Sequence, residues 1–134
     1  MRYGILQAGC LVVLLFLCGC AAVLVGAGAT GGIAGYKFIE GELQVEYIAP
    51  YERVWQATTL ALKDLNIRTE KIEKDAISGK IKARRADNTL VTIKIKNKPS
   101  GMVKVGIRVG IFGDEEASML IKKAIDKRLG VKGS

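Results

Sequence analysis

The chain has no histidine, and its three cysteines, Cys10, Cys18 and Cys20, all fall within the first twenty residues. From residue 21 onward there is neither a thiol nor an imidazole. Disulfides, Cys/His metal sites and Cys-His or Ser-His catalysis are therefore excluded from that part by inventory, and neither a cofactor nor a metal is expected. Charge is also missing, but only locally. Gly4 to Tyr36 is a run of 33 residues with no acid or base other than cysteine and the closing tyrosine. Nearly all charge lies beyond it, and the chain as a whole carries 21 basic and 13 acidic side chains for a net of +8. An apolar N-terminal third is thus joined to a basic, water-compatible remainder. With 134 residues, the chain has room for one domain.

Arg2 and the amino terminus form a short positive region, Ile5 to Leu17 has the length of a secretory apolar core, and small residues follow. Leu17-Cys18-Gly19-Cys20 resembles the bacterial lipobox, with a leucine three before the cysteine and a small residue directly before it. The resemblance implies a signal peptide at residues 1–19, lipid transfer to the Cys20 thiol, cleavage after Gly19 and acylation of the new amino terminus. Several acyl chains hold firmly where one does not, since each buried methylene contributes about 0.8 kcal/mol. The alternative is a single-pass anchor with an uncleaved helix. A 33-residue helix measures about 50 Å against roughly 30 Å of hydrocarbon, which favours cleavage. Ala21 and Ala22 lack the aspartate that resembles an inner-membrane retention signal, so the expected location is the outer membrane, facing the periplasm.

Gly26-Ala27-Gly28-Ala29-Thr30-Gly31 is a literal G-x-G-x-x-G, and Glu46 lies where a ribose-binding acid would. The fingerprint needs a strand before it and a crossover helix after it. The glycines begin six residues after the lipidation site, and Tyr36-Lys37-Phe38-Ile39-Glu40-Gly41 is too short for that helix, so the match is a decoy. Two readings remain for these glycines. Residues 20–40 form a Gly/Ala-rich tether, or Gly28-x-x-x-Gly32 and Gly31-x-x-x-Gly35 let helices pack closely in lipid.

Residues 41–134 form the domain. Leu43, Val45 and Tyr47 alternate as a strand face. Pro50 suits a first helical turn, and Tyr51, Val54, Trp55, Thr58, Ala61, Leu62 and Leu65 form one apolar stripe over about 50–65. Strands are expected at 67–74, at 77–85 (Ile77, Ile81, Ala83), at 90–98 (Val91, Ile93, Ile95) and at 103–111 (Val103 to Ile111). Short turns between them call for antiparallel pairing. Asp114 caps a last helix with Glu115 and Glu116 in its first turn and Lys127 and Arg128 in its last. Gly130 sits at its left-handed end. Ala117, Leu120, Ile121, Ala124, Ile125 and Leu129 supply its packing face. The expected fold is α+β in the order β-α-β-β-β-β-α, an antiparallel sheet with both helices on one face.

That alternation places Lys80, Lys82, Arg84, Lys94, Lys96, Lys104 and Arg108 on the other face. Residues 68–108 hold 12 basic and 4 acidic groups, and a surface of one sign attracts polyanions. The expected partners are anionic lipid, lipopolysaccharide phosphates or an acidic protein, alongside the membrane reached through Cys20. A merely solvated face that discourages edge pairing stays open as the alternative. Nucleic acid is not expected, because no aromatics interleave with these cations for stacking. Acids do not gather away from helix ends and turns, so an enzyme is not expected either. A carboxylate-based hydrolase is the remaining catalytic alternative, and it requires a concave pocket holding acids of raised pKa.

Three further blocks stand out: Pro50-Tyr51-Glu52-Arg53-Val54-Trp55-Gln56-Ala57, with Ala61-Leu62; Asp75-Ala76-Ile77-Ser78-Gly79; and Ile107-Arg108-Val109-Gly110-Ile111-Phe112-Gly113-Asp114. With the lipobox and its Gly/Ala tail, they resemble an uncharacterised family of short bacterial lipoproteins, a domain of unknown function. The resemblance implies architecture and lipidation and no activity. In the last block Gly113 is expected to permit a tight bend, with Phe112 packed over it.

Overall fold

Residues 32–131 are described by a computed structural model. Their elements run β1 (Gly32–Ile39), β2 (Glu42–Ile48), α1 (Tyr51–Asp64), β3 (Arg68–Lys74), β4 (Ser78–Arg84), β5 (Leu90–Asn97), β6 (Val103–Val109) and α2 (Glu115–Leu129). The strands form one sheet in the order β1-β2-β6-β5-β4-β3, antiparallel at every joint. The expected α+β architecture is observed with one strand added at the front.

That strand, β1, lies in the segment read as tether. Its register slips between Ile33 and Gly35, so Ile33, opposite Tyr47, and Tyr36, opposite Val45, reach the same face although they stand three residues apart. A bulge of this kind breaks the period-two signal. Its turn is Glu40-Gly41, both at positive φ (52° and 81°), where sequence patterns anticipate Asn-Gly or Asp-Gly. Gly32 and Gly35 are strand residues, which removes the helical spacing that Gly28-x-x-x-Gly32 and Gly31-x-x-x-Gly35 required. A strand also follows the Gly26–Gly31 segment directly, where a dinucleotide fingerprint opens a helix. Cys20, the signal peptide and the uncleaved-helix alternative lie outside the described residues. Among the described residues no helix is long and apolar enough to cross a membrane.

The inward residues of β2, β4, β5 and β6 are buried, and α1 and α2 cover them. Arg53, in the first turn of α1, donates to the Leu129 carbonyl at 3.1 Å, and Leu65, just past its end, lines one hollow with Ala117 and Leu120 of α2. The two helices therefore run antiparallel. Asp114 caps α2 by accepting from the Ala117 N–H at 3.0 Å, and Gly130 closes it at φ 75°.

Five apolar side chains expected inside lie outside: Leu65, Leu120, Phe112, Ile111, and Ile77, which precedes β4 and is 61% exposed. Leu65 and Leu120, expected in the core, are both exposed, Leu120 by 53%. They flank the open side of the helix pair at its rim. Phe112 does not pack over Gly113 and is 92% exposed. The reason is the hairpin tip: a Cβ on Gly113 would fall inside the Gly41 backbone, and one on Gly41 would strike the Phe112 carbonyl. Backbone fills the place the ring would need, and Gly113, at φ 80°, makes the bend as expected. β6 accordingly ends at Val109, and Ile111 is exposed in the turn that follows.

Candidate anion-binding face

β4, β5 and β6 are neighbours, and their register sets the outward side chains in rows. Ser78 stands opposite Lys96, Lys96 opposite Lys104, and Lys104 opposite Glu46. One step along, Lys80 faces Lys94, and Lys94 faces Gly106. Lys82 faces Thr92, which faces Arg108, while Arg84 faces Leu90. All seven cations thus lie on the face opposite the helices, because each alternates with a buried neighbour on its own strand.

The flanking strands bring acids to the same face. β2 contributes Glu42 and Glu46, and β3 contributes Glu70 and Glu73. Gly106 makes room for one of them, since a Cβ there would lie 2.6 Å from Glu42 Oε1. Glu42 therefore rests across the middle of the sheet, 3.9 Å from Lys94 Nζ, and accepts from Gln44 at 3.2 Å. Arg84 is held by Glu70 at 2.9 Å and donates to the Asn88 carbonyl at 3.1 Å. Arg108 donates to the Glu40 carbonyl at 2.8 Å, tying down the β1–β2 turn. These three cations are committed within the protein. Lys80, Lys82, Lys96 and Lys104 have no carboxylate within ion-pair distance among the described residues.

The acids feel that excess. The Glu46 carboxyl is held below its ordinary range chiefly by the hydrogen bond from Lys98 (2.7 Å), with Lys104 and Lys37 adding their fields. Glu73 is lowered first by its hydrogen bond from Lys71 and then by Lys80 and Lys82. Two open hollows flank the face. One, of about 400 Å³, is bordered by Lys37, Gln44, Glu46, Lys98 and Lys104. The other, of about 510 Å³, is bordered by Glu73, Lys80, Lys94 and Lys96.

The covered face holds a polar group that the sequence pattern did not reveal. Lys122 is fully buried, with its Nζ 2.8 Å from Asp126 Oδ2, and Tyr47 donates its hydroxyl to Asp126 Oδ1 at 2.7 Å. The Tyr36 ring closes over the ammonium at 4.7 Å, a cation–π lid supplied by β1. Ser118, one turn earlier on the same stripe, is buried with no hydrogen-bond partner for its hydroxyl. Burial raises the Tyr47 pKa well above that of an ordinary phenol, and Asp126 adds to the effect.

Other carboxylates are engaged in shaping the fold. Asp75 accepts from the Ile77 and Ser78 backbone N–H groups at 2.9 and 2.8 Å, which hold it below the usual carboxylate range. Glu52 pairs with Lys74 at 2.8 Å, whose ammonium also sits 5.3 Å from the Trp55 ring. Asp64 is lowered by its forked contact with Arg128. Every described carboxylate whose pKa departs clearly from the ordinary value departs downward. No cluster of three metal-ligating side chains occurs among the described residues.

The three sequence blocks now have structural duties. Tyr51, Val54 and Trp55 fill the core beneath α1. Asp75 folds the entry to β4, and Gly79 leaves space for Trp55, whose ring a Cβ there would strike. Gly113 and Asp114 interlock with the hairpin tip and start α2. Compared with known families, residues 5–128 match the model described as a protein of unknown function, DUF3568. No curated protein matches the chain.

Proposed function

Because the chain belongs to this family of unknown function, we propose its role from its own residues: a lipid-anchored envelope protein whose α+β domain binds polyanions and does not catalyse. The observation that carries the binding role is the set Lys80, Lys82, Lys96 and Lys104, four lysines that, among the described residues, have no carboxylate within ion-pair distance and lie on a sheet face covered by neither α1 nor α2. Phosphate-bearing ligands suit such a surface: anionic lipid headgroups, lipopolysaccharide phosphates or an acidic protein segment. The non-catalytic reading is supported by the carboxylates, most of which are held in ion pairs, turns and helix ends, with Glu46, Asp64, Glu73, Asp75 and Asp87 lowered by their partners.

Leu17-Cys18-Gly19-Cys20 supports acylation at Cys20, and Ala21-Ala22 supports placement in the outer membrane, facing the periplasm. β1 sharpens this picture. Only residues 21–31 separate the lipidated cysteine from the sheet, a reach of at most about 40 Å when fully extended. That length keeps the domain within about 40 Å of an anchored Cys20. β1 also favours the second reading, an uncleaved single-pass anchor. It leaves 28 uncharged residues from 4 to 31, about 42 Å as a helix, so less length has to be accommodated in the bilayer.

Two measurements test the proposal. Mass analysis of the mature protein is expected to find a multiply acylated Cys20 at its amino terminus. Methionine at the front with no added hydrocarbon would transfer the anchoring role to the uncleaved span. For the binding face, a protein lacking residues 1–20, and with them the apolar leader and the lipidation site, is expected to sediment with anionic vesicles and not with neutral ones, and less so as salt rises. Changing Lys80, Lys82, Lys96 and Lys104 to Gln is expected to abolish that binding. Equal, salt-insensitive binding to both vesicle types would sink the charged-face role.

A further inference from the structure

Each end of the sheet exposes large apolar side chains. At one end are Ile48 and Ile77, 55% and 61% exposed. At the other are Ile39 at the end of β1, and Ile111 and Phe112 in the turn after β6. The ends lie roughly 23 Å apart, the span of an eight-residue strand at about 3.3 Å per residue. Two independent features distinguish them.

The first is where the chain enters. Gly32 begins β1 opposite Ile48, so the uncharged run that precedes it joins the domain at the Ile48 end. The second is charge. Around Ile48 and Ile77 lie Lys96 and Lys104, opposite each other on β5 and β6, while the acids at this end are engaged, Glu46 by Lys98 at 2.7 Å and Asp75 by the Ile77 and Ser78 N–H groups. The Asn97 N–H donates to the Ile77 carbonyl at 2.7 Å, which places Ile77 beside these lysines. The opposite end carries Glu40, Asp114, Glu115 and Glu116 around the Phe112 tip, and Arg68, Arg84 and the adjacent Arg85 lie away from it at the far strands β3 and β4. Its nearest arginine, Arg108, is engaged with the Glu40 and Ile111 carbonyls.

We propose that the Ile48–Ile77 end is the surface that docks on an anionic phospholipid bilayer, with Ile48 and Ile77 entering the interface and Lys96 and Lys104 lying among the headgroups. Apolar side chains with adjacent lysines suit that boundary. The Phe112 tip then stands away from the membrane, farther than the 8–10 Å over which surface charge is felt. Its four acids are not repelled at that distance, and they would be if this end faced the lipid. The inference rests on the reading that the N-terminal third is held in a membrane, whether by acyl chains or as a span.

The test uses the full acylated protein reconstituted in vesicles that contain anionic lipid with brominated acyl chains. Ile48→Trp, Ile77→Trp and Phe112→Trp are made singly, with buried Trp55 of the parent as the constant background. Flotation is measured first. Bromine is expected to quench the indole at 48 and at 77 and to leave 112 indistinguishable from the parent. Replacing the anionic lipid with neutral lipid is expected to weaken the quenching. Adding Lys96→Gln and Lys104→Gln is expected to lower the docked-to-undocked ratio about fivefold per lysine. A parent that fails to float overturns this inference together with the membrane reading. A parent that floats but shows no quenching at 48 and 77, or equal quenching at 112, overturns the docking inference alone.

Discussion

Lys82 and Lys122 both sit in the middle of a regular element, yet one stands in solvent on the open face of the sheet and the other is sealed beneath the covered face. Lys82 has no carboxylate partner and a neighbourhood of like charge. Lys122 has Asp126 at 2.8 Å and the Tyr36 ring above it. The difference shows what each can do. A buried charge exists only with its partners in place, so its contribution belongs to the fold. A row of exposed lysines adds little to stability and leaves its charge free for a ligand. Of the seven outward cations, the neighbouring strands have already committed Arg84, Lys94 and Arg108, and this separates the two kinds even within one face.

The largest expected effect breaks the covered side of this comparison. Asp126→Ala leaves Lys122 buried without a counter-charge, and chemical denaturation is expected to show a loss of about 3–5 kcal/mol. Replacing both, as Lys122→Met with Asp126→Leu, is expected to restore most of the loss or exceed the parent, since well-packed apolar substitutes for buried pairs are often neutral or better. If the double replacement were as poor as the single one, the pair would have a role beyond packing. Tyr47→Phe removes only the donated hydroxyl and is expected to cost about 1.5–3 kcal/mol, the range for hydrogen bonds to charged groups. On the open side, Gln at Lys80, Lys82, Lys96 or Lys104 is expected to change stability by less than about 0.5 kcal/mol each. A larger drop in melting temperature would mean that these lysines are structural after all.

How much of this could be read beforehand divides along the same line. β2 to β6 and both helices were legible because alternation, helical stripes and an Asp cap are local signals. The seven outward cations were legible for the same reason. The acids that join them were not. Glu42 and Glu46 reach the face because β2 lies against β6, and Glu70 because β3 lies against β4, and strand order is not written in any local window. β1 was hidden by its bulge and its Glu-Gly turn. Lys122 and Asp126 flank the apolar stripe of α2, where charge reads as solvated; only β1 and Tyr47, packed from elsewhere in the chain, turn that flank into interior.

The two faces are also expected to respond to opposite ends of the pH scale. Glu46 and Glu73 have folded-state pKa values below their ordinary ones, because lysines hold the charged form. A depressed carboxylate stabilises the fold above its unfolded pKa of about 4.3, and that contribution is lost as pH falls through the folded value. Protonating them also removes negative charge from the open face. Below about pH 4 the melting temperature is therefore expected to fall while phosphate-bearing vesicles bind more tightly, provided the domain is still folded. Tyr47 behaves in the opposite sense. Its raised pKa keeps the hydroxyl protonated in the fold, so its contribution is complete below the unfolded value of about 10 and is lost as pH rises above it. Titration of the melting temperature in Tyr47→Phe is the check. It is expected to remove part of the alkaline loss and leave the acid limb and the vesicle response unchanged. An acid limb that moved with Tyr47→Phe would show that the two faces are coupled through the sheet.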